Sequence, residues 1–342
     1  MKAKPDETCL DFGKIFTDYM FVMDYADGAW RDARIQPYGP FMMDPASSVL
    51  HYSQSVFEGL KAYRAADGSI RLFRAKDNFE RMNTSCERLC IPKINPDFAL
   101  EAMKRLLRLE AEWVPSAPDT TMYIRPTIIA VDPFLGVHAA EKYIFYIILS
   151  PSGAYFPDGM SPVRIFVEDE FVRAVRGGMG FSKTGGNYAA SILAGAVAKR
   201  RGFTQVLWLD GVRQRFVEEV GSMNIFFKVR GELWTPKLNG SILPGITRSS
   251  VIALAQAMGV KVVEKDIDIY ELFELGARGE LEEAFGSGTA AVISPVGMLR
   301  LQNRDLIINN FHTGPLAQGL YDTLTGVQYG RLTDPLGWTE TL

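Results

Sequence analysis

One lysine among glycines stands at the centre of the chemistry that this sequence could perform. Residues 181–188 read Phe-Ser-Lys-Thr-Gly-Gly-Asn-Tyr, and an apolar run over residues 189–198 follows them. Two kinds of site use a lysine in such surroundings. One is a loop that cradles the phosphates of a nucleotide, and the other is a lysine that forms an imine with a carbonyl cofactor. Other residues of the chain decide between the two.

The nucleotide loop is the less favoured interpretation. Residues 177–184 depart by one residue from the pattern G-x-x-x-x-G-K-[ST], and an apolar strand ending at Asp210 could supply a carboxylate for Mg²⁺. However, Ser182 occupies the position of the second glycine, where the backbone must approach a phosphate in a conformation that glycine tolerates. Glycines also continue after Lys183, where such a loop would already be helical.

The imine interpretation requires further residues, because pyridoxal 5′-phosphate (PLP) makes several demands at once. PLP needs a carboxylate at its pyridinium nitrogen, donors for its phosphate and a partner for its ring hydroxyl. Tyr188, where a predicted helix begins, could bond that hydroxyl. Glu218 and Glu219 precede an apolar segment, and in an extended strand they face opposite sides, so only one can enter a site. Either could equally be a solvated surface glutamate.

Two turns and one arginine offer donors for a phosphate. Residues 243–248, Leu-Pro-Gly-Ile-Thr-Arg, run straight into a predicted helix, so its first amides, including those of Ile246 and Thr247, could bind an anion. Residues 286–290, Gly-Ser-Gly-Thr-Ala, form a second small-residue turn. Arg81 lies inside a predicted helix and could reach a phosphate, although a surface salt bridge is the commoner role of such an arginine.

Seven motifs, in order over nearly the whole chain, resemble those of the branched-chain amino-acid aminotransferases, which are PLP enzymes of fold type IV. They are Val-Phe-Glu-Gly-Leu-Lys-Ala at 56–62, Phe-Arg-Ala-Lys-Asp-Asn-Phe-Glu-Arg-Met at 73–82, Tyr-Ile-Arg-Pro at 123–126, Lys-Thr-Gly-Gly-Asn-Tyr at 183–188, Glu-Val-Gly-Ser-Met-Asn at 219–224, and the turns at 243–248 and 286–290. One such motif would be a weak indication, whereas seven in order strongly favour PLP.

The resemblance implies a role for each matching residue. Lys183 would bind the cofactor aldehyde as an imine and act as general base and acid, Tyr188 would bond the ring hydroxyl, and Glu219 would meet the ring nitrogen. The implied phosphate ligands are Arg81, Ile246, Thr247 and Thr289, with the hydroxyl of Ser222 in addition. The implied substrate site consists of Tyr52, Phe57, Tyr123, Arg125, Tyr155 and the amides of Thr289 and Ala290.

The implied reaction is a ping-pong transamination of L-leucine, L-isoleucine and L-valine with 2-oxoglutarate, which gives branched-chain 2-oxo acids and L-glutamate. A D-amino-acid aminotransferase or an aminodeoxychorismate lyase of the same fold would share Lys183 and Glu219 but differ in the substrate pocket. Residues 123–126 and 57–59 favour the branched-chain enzymes. Members of this family are usually homodimers, and we therefore expect a homodimer here.

Composition excludes several other classes of protein. The 342 residues are 47% hydrophobic and carry a formal net charge of −3, without the basic cluster that a nucleic-acid or membrane partner would require. The chain shows no signal-peptide pattern and no apolar run of membrane-spanning length, so we expect a soluble cytoplasmic protein. The three histidines and three cysteines lack metal-ligand spacing, and no metal site is expected.

The pattern of elements predicts an α+β fold with two domains, like that of the D-amino-acid aminotransferases. We expect a small N-terminal α/β domain at residues 1–152, an interdomain loop rich in proline and glycine at 153–163, and a larger C-terminal domain with Lys183 at 164–342. Helices are predicted over 77–90, with Asp77 as the N-cap, and over 97–113, 188–201 and 246–258; strands are predicted over 121–131, 142–149, 163–167, 206–209 and 223–229.

Overall fold

The structure is a computed structural model that describes residues 2–153 and 159–342. The chain divides by its contacts into two units. The first unit comprises residues 1–157, 182–185 and 326–342, and the second comprises residues 158–181 and 186–325. Lys183 therefore groups with the first unit, whereas we expected it in a C-terminal domain. The predicted domain boundaries themselves remain predictions.

Both units are built from strands and helices, as the α+β prediction requires. The strands are β1 (Tyr19–Ala26), β2 (Ala29–Pro37), β3 (Ser55–Phe57), β4 (Leu60–Arg64), β5 (Ile70–Phe73), β6 (Thr121–Ala130), β7 (Tyr143–Ser152), β8 (Val163–Glu168), β9 (Gln205–Leu209), β10 (Val217–Val220), β11 (Met223–Val229), β12 (Glu232–Pro236), β13 (Val262–Lys265), β14 (Leu281–Gly288), β15 (Val292–Leu301), β16 (Arg304–Ile307) and β17 (Thr339–Thr341). The helices are α1 (Ser48–Tyr52), α2 (Ala75–Arg88), α3 (Pro96–Leu109), α4 (Gly185–Arg200), α5 (Ile246–Ala257), α6 (Ile269–Ala277) and α7 (Pro315–Gln328).

The first unit is organised around an antiparallel sheet. Among the described residues its eight strands follow the order β17-β5-β4-β6-β7-β1-β2, with β3 paired to β6. Helices α2 and α3 pack against each other, and their apolar faces join the buried side chains of the strands in one core that includes Phe79, Met103 and Phe145. The central strand of this sheet, β6, is almost wholly buried.

Helices α2 and α3 begin differently from our expectation. Asp77 is not the N-cap of α2: the helix begins at Ala75 after Arg74, which has a left-handed backbone conformation, and the Asp77 carboxylate instead pairs with the Arg74 guanidinium. Asn95 caps α3, because its side chain accepts hydrogen bonds from the next free amides, and Pro96 follows at the first helical position. Trp113 lies in a separate short 3₁₀ turn.

The second unit contains a mixed sheet that closes on itself. Its nine described strands follow the order β10-β9-β8-β15-β14-β11-β12-β13, with β16 on β15, and an additional pairing between β10 and β11 completes a ring of strands. Strands β8 and β9, and β8 and β15, are parallel neighbours, whereas β10 and β11 form a two-residue hairpin. Helices α5 and α6 pack against β14.

Helices α4 and α5 of the second unit lie close to their predicted positions, whereas α6 and α7 were not predicted. Helix α5 begins at Ile246 as predicted and ends one residue early, whereas α4 already begins at Gly185. The argument that glycines after Lys183 disfavour a nucleotide loop is therefore wrong, because those glycines lie in the first turn of a helix. Within the part of the chain that the structure describes, no helix is both long and apolar enough to cross a membrane.

Candidate active site

Three residues of the expected substrate site lie on one face of the first unit's sheet. Tyr123 and Arg125 are two positions apart on β6, so their side chains point to the same side of the sheet. Strand β3 pairs with β6 and places Phe57 opposite Thr127, which is the next β6 residue on that side. The Arg125 guanidinium lies 4.7 Å from the centroid of the Phe57 ring, and its Nη2 donates to the Tyr123 hydroxyl at 2.9 Å. The sequence pattern thus brings these three side chains together.

Gly59 leaves room for the Tyr123 hydroxyl. A Cβ atom at this position would collide with the phenol oxygen. The glycine of the Phe-Glu-Gly motif is thus required by the close approach of a site side chain, not by a positive φ angle.

Backbone hydrogen bonds hold Lys183 beside this cluster. Its N–H donates to the Ser85 hydroxyl at 2.9 Å, and its carbonyl accepts from the Phe57 N–H at 3.1 Å. The next residue, Thr184, donates its hydroxyl to the Ser55 carbonyl at 2.8 Å. The Lys183 Nζ atom lies 5.2 Å from the centroid of the Phe57 ring. These contacts explain why residues 182–185 belong to the first unit.

Arg81 is held by a carboxylate that the sequence analysis did not single out. Its Nε and Nη2 atoms lie 2.9 and 2.7 Å from the two oxygens of Glu58, and the Glu58 side chain is fully buried. Arg81 and Ser85 lie one turn apart on α2, so a single helix face carries the arginine and the partner of the Lys183 backbone. The surface salt bridge that we considered for Arg81 is wrong, since the pair is buried.

Tyr52, which we expected in the substrate site, stands apart from this cluster. The Tyr52 hydroxyl donates to the Leu135 carbonyl at 2.6 Å, and none of the contacts among the described residues joins Tyr52 to Phe57 or Arg125. Tyr155 lies outside the described residues.

In the second unit, Glu219 is a buried carboxylate with two fixed partners. One oxygen accepts the Leu243 N–H at 2.7 Å, and the other lies 3.1 Å from Arg173 Nε. Glu218 points to the other side of β10, where Ser241 and Asn239 donate to it. Both glutamates are 3% exposed, so the interpretation of either as a surface residue is wrong.

The hydrogen bonds of Leu243 bring Glu219 to the start of α5. Its N–H donates to Glu219, and its carbonyl accepts from Asn224 Nδ2 at 2.9 Å. Gly245 is the N-cap of α5 and supplies no side-chain cap, so that Ile246 and Thr247 occupy a first turn with the positive end of the helix dipole. A Cβ atom on Gly245 would collide with Asn224 Oδ1. The motifs at 219–224 and 243–248 therefore form one structure.

The remaining predicted residues of this unit lie in turns and in α4. Thr289 and Ala290 occupy the turn between β14 and β15 and are half-buried. Strand pairing places Glu219, Asn224 and Ser287 in one row across β10, β11 and β14, and the Ser287 hydroxyl is buried without a hydrogen-bond partner among the described residues. Ser222 is exposed in the hairpin turn between β10 and β11, and Tyr188 lies half-buried in the first turn of α4.

Asp210, the candidate Mg²⁺ ligand of the nucleotide alternative, is committed to its own turn. Its carboxylate accepts from the backbone N–H groups of four residues, namely Val212, Arg213, Arg215 and Phe216. Burial alone would raise the pKa of Asp210, and these hydrogen bonds outweigh it and lower the pKa. Within residues 2–153 and 159–342, no three His, Cys, Asp or Glu side chains form a group that could hold a metal ion.

Cys86 and Cys90 lie in different surroundings. Cys86 is buried in the core of the first unit, and burial raises the pKa of its thiol to about 12. Cys90 is exposed, because α2 ends two residues before it.

Comparison with known proteins identifies the family of this chain. The sequence profile of the amino-transferase class IV family matches residues 55–298, and the chain belongs to this family. The chain is 57% identical over 339 residues to branched-chain-amino-acid aminotransferase 2 of Bacillus subtilis (strain 168), covering 99% of this chain and 93% of the relative. Within the family it belongs to the branched-chain amino-acid aminotransferases, and the sequence-based assignment is confirmed.

Solved structures give the same result for the fold. The Escherichia coli branched-chain amino acid aminotransferase superimposes with a TM-score of 0.79 at 27% identity, covering 94% of this chain and 98% of that chain. The T.th. branched-chain amino acid aminotransferase, solved with pyridoxamine 5′-phosphate, superimposes with a TM-score of 0.75 at 27% identity. The match covers 93% of this chain and 97% of that chain. The predicted α+β fold of this family is confirmed.

Proposed function

We propose that this chain transfers the amino group of L-leucine, L-isoleucine or L-valine to 2-oxoglutarate, with PLP as its cofactor. The proposal is supported chiefly by the cluster on the Phe57 ring, where a lysine amine and the Arg125 guanidinium share one aromatic side chain. An amine that can bind an aldehyde thus lies beside a cation that can bind the γ-carboxylate of glutamate, so that one cluster offers groups for the cofactor and for one of the two substrates.

Lys183 would act at two points. Its Nζ atom would bind the aldehyde of the cofactor, and after a substrate amino group has displaced it, the same amine would take the proton from the substrate Cα. A positioned acid–base group of this kind typically contributes about 10²–10⁴-fold to the rate. PLP, when bound, supplies an electron sink that stabilises negative charge at that carbon.

The residues of the second unit suit the ring and the phosphate of PLP. A carboxylate such as that of Glu219 keeps a pyridine nitrogen protonated, and Tyr188 would bond the ring hydroxyl. The first turn of α5, with Ile246 and Thr247, would bind the phosphate, since its N-cap, Gly245, has no side chain and the helix dipole favours an anion there. Thr289, Arg81 and the exposed hydroxyl of Ser222 are the further phosphate ligands that we propose.

The substrate side would use the aromatic cluster. Phe57 and Tyr123 offer apolar faces to a branched side chain, and Arg125 offers a donor to the γ-carboxylate of glutamate. The Nε atom of Arg125 is buried without a hydrogen-bond partner among the described residues, so an incoming carboxylate would satisfy it. We propose that the amides of Thr289 and Ala290 take the α-carboxylate, and that Tyr52 and Tyr155 line the pocket.

We further propose that the protein is a homodimer. The loop that follows β6 exposes three apolar side chains, Phe134, Leu135 and Val137, which are 56%, 64% and 84% exposed. Adjacent exposed apolar groups mark surfaces that become covered, and a second copy of the chain is the commonest partner of that kind.

The experiment that tests the proposed function compares the enantiomers of leucine as amino donors to 2-oxoglutarate. We expect L-glutamate to form with L-leucine, L-isoleucine and L-valine, and not with D-leucine. Lys183→Ala is the control, and it should lose this activity while keeping the fold of the parent. Preference for D-leucine would assign the chain to the D-amino-acid aminotransferases, and release of pyruvate from aminodeoxychorismate would assign it to the lyases.

A further inference from the structure

Arg173 is a buried arginine that contacts Glu219 and two backbone carbonyls. It is 9% exposed, and its Nε atom lies 3.1 Å from a Glu219 oxygen, an ion pair without hydrogen-bond geometry. Its Nη2 atom donates to the carbonyl of Gly180 at 3.2 Å and to the carbonyl of Ser241. Sequence analysis did not single it out, because an arginine between Val172 and Ala174 carries no motif.

The buried ion pair of Arg173 and Glu219 is not explained by the stability of the fold alone. Taking two charges out of water costs several kcal/mol per ion, so that a buried ion pair often stabilises a fold no better than apolar side chains would. Removing one partner leaves an uncompensated charge and is strongly unfavourable. A buried arginine at this position is therefore better explained by what it does to the carboxylate than by a contribution to stability.

The contacts of Arg173 also fix its direction. A planar guanidinium that donates to two backbone carbonyls cannot turn away from the carboxylate. A lysine at this position could bring a positive charge to Glu219, but its flexible side chain would not be fixed in the same way. Glu219 in turn is held from its other oxygen by the Leu243 N–H. Within the second unit, one oxygen of the carboxylate thus accepts a backbone hydrogen bond and the other forms an ion pair with Arg173.

We propose that Arg173 is a positioning residue that keeps Glu219 ionised and aimed for a cationic ring nitrogen. This inference rests on the proposed function, since it assumes that Glu219 meets such a nitrogen. It adds a residue for which the motif match assigned no role.

The other charged groups of this region have partners of their own. Glu218 on the other side of β10 accepts from Ser241 and Asn239; burial raises the pKa of Glu218, and the Arg173 charge acts with these hydrogen bonds against that rise. Asp210 at the end of β9 is bonded by backbone amides of its own turn. On α5, the buried Arg248 is committed to Glu264 at 2.6 Å and to the Pro236 carbonyl.

The test compares Arg173→Met, Arg173→Lys and the control Arg176→Met in the holoenzyme. Arg176 lies three positions further along the same segment and is exposed. The rate of the L-leucine half-reaction is measured from mildly acidic to mildly alkaline pH. Because a buried carboxylate without a cation takes up a proton at higher pH, Arg173→Met should be at least about tenfold slower than the parent at the acidic end. The difference in rate between Arg173→Met and the parent should become smaller as the pH rises.

Arg173→Lys should keep the pH profile of the parent, and Arg176→Met should match the parent throughout. A loss by the same factor at every pH in Arg173→Met would overturn the proposal, because a merely structural role predicts that result. A profile unchanged from the parent would overturn it as well.

A second measurement does not depend on activity. Arg173→Met leaves the buried Glu219 carboxylate without this cation, and the double variant Arg173→Met/Glu219→Gln removes the carboxylate charge as well. We expect the holoprotein of the double variant to unfold at a higher temperature than Arg173→Met alone, and this comparison decides the matter if Arg173→Met folds poorly. Equal or lower stability of the double variant would contradict the pairing. If the parent itself shows no reaction with leucine, the proposed function fails while this coupling can still be measured.

Discussion

Arg125 illustrates how a single side chain can serve two different substrates. It lies over the Phe57 ring, donates to the Tyr123 hydroxyl and retains a buried Nε–H without a hydrogen-bond partner among the described residues. An apolar pocket alone would leave the γ-carboxylate of glutamate unpaired, at a cost of several kcal/mol. We therefore expect this arginine to matter for glutamate and much less for leucine.

Replacing Arg125 with alanine should slow the glutamate half-reaction by roughly 10- to 100-fold more than the leucine half-reaction, because a hydrogen bond to a charged group contributes about 1.5–3 kcal/mol. Single-turnover kinetics with each amino acid measure the two losses separately. Arg125→Lys keeps the charge without the planar fork and should fall between the parent and Arg125→Ala. Equal losses on both amino acids would contradict this role.

Lys61 makes a different prediction, which concerns stability. It is buried on β4, and burial lowers the pKa of its amine from 10.5 to about 8. Between these two values the unfolded chain binds a proton that the folded protein does not, so the stability of the parent rises as the pH rises through this window. Below it, the folded protein has to bury a charged amine.

Lys61→Met should therefore be more stable than the parent at neutral pH, by up to about 3 kcal/mol, and this advantage should shrink as the solution becomes alkaline. Denaturant unfolding at a series of pH values measures the difference. Lys142→Met, at an exposed lysine, is the matched control and should show no such trend. A constant difference between parent and Lys61→Met across the series would argue against the burial effect.

Sequence reasoning succeeds for residues that lie in motifs and fails for their partners. Glu219 and Lys183 stand in segments whose composition already indicates chemistry. Ser85 and Arg173 lie in no motif and contact the Lys183 backbone and Glu219 from other parts of the chain. Glu58 lies in the motif at 56–62, but its pairing with Arg81 is equally a contact that the local sequence does not show. A long-range pairing of this kind leaves no local pattern, and only the folded structure reveals it.

At the scale of elements, the second unit depends on one hairpin and one helix start. Asn224 on β11 anchors the Leu243 carbonyl, and Gly245 leaves room for the Asn224 side chain. The helix dipole of α5 can act on an anion only if the Asn224 side chain keeps its place beside Gly245 at the start of the helix. The Val-Gly-Ser-Met-Asn and Leu-Pro-Gly-Ile-Thr-Arg motifs thus owe their residue types to each other as well as to a ligand.

Gly245→Ala should weaken the retention of PLP and lower stability by about 1–3 kcal/mol, because an added methyl group displaces Asn224. Gly195 in α4 is the matched control, since a Cβ atom there meets no other atom within 4 Å. Gly195→Ala should instead stabilise the protein by roughly 0.5–1 kcal/mol. PLP titration and thermal unfolding of both variants test this pair, and unchanged cofactor binding in Gly245→Ala would contradict the account.

Periodicity predicted the elements better than their ends. The strand over Met223–Val229 and the start of α5 were predicted to the residue. The predicted N-cap of α2, Asp77, was wrong. The helix follows Arg74, which has a left-handed backbone conformation and pairs with Asp77, and the rules for capping residues do not predict this arrangement. Helix α4 begins at Gly185, before its predicted start at residue 188. The early start was missed because two glycines, which usually disfavour helices, occupy the first turn.

At the scale of the whole molecule, the two-unit architecture was predicted, but the assignment of Lys183 to one of the units could not be read from chain order. Its segment is bonded to residues about a hundred positions earlier, and the last residues of the chain return to the first unit through β17. Such returns depend on sheet pairing, which single-sequence patterns do not specify.

The proposed homodimer gives a prediction at the same scale. Val137→Asp puts a charge into the exposed apolar loop after β6 and should shift the protein toward monomers, as light scattering coupled to size-exclusion chromatography would show. Val212→Asp is the matched control, because Val212 is 82% exposed and lies outside that loop. A parent that is already monomeric, or equal dissociation in both variants, would contradict an interface at this loop.

The central claim is that Lys183 binds PLP and that L-leucine donates its amino group to it. The most direct measurement is the absorbance spectrum of the purified protein before and after L-leucine is added without an oxo acid. We expect a visible band that fades while a near-ultraviolet band grows, and we expect D-leucine and the Lys183→Ala variant to give no such change. A spectrum without a cofactor band, unaltered by added PLP and by L-leucine, would contradict the account.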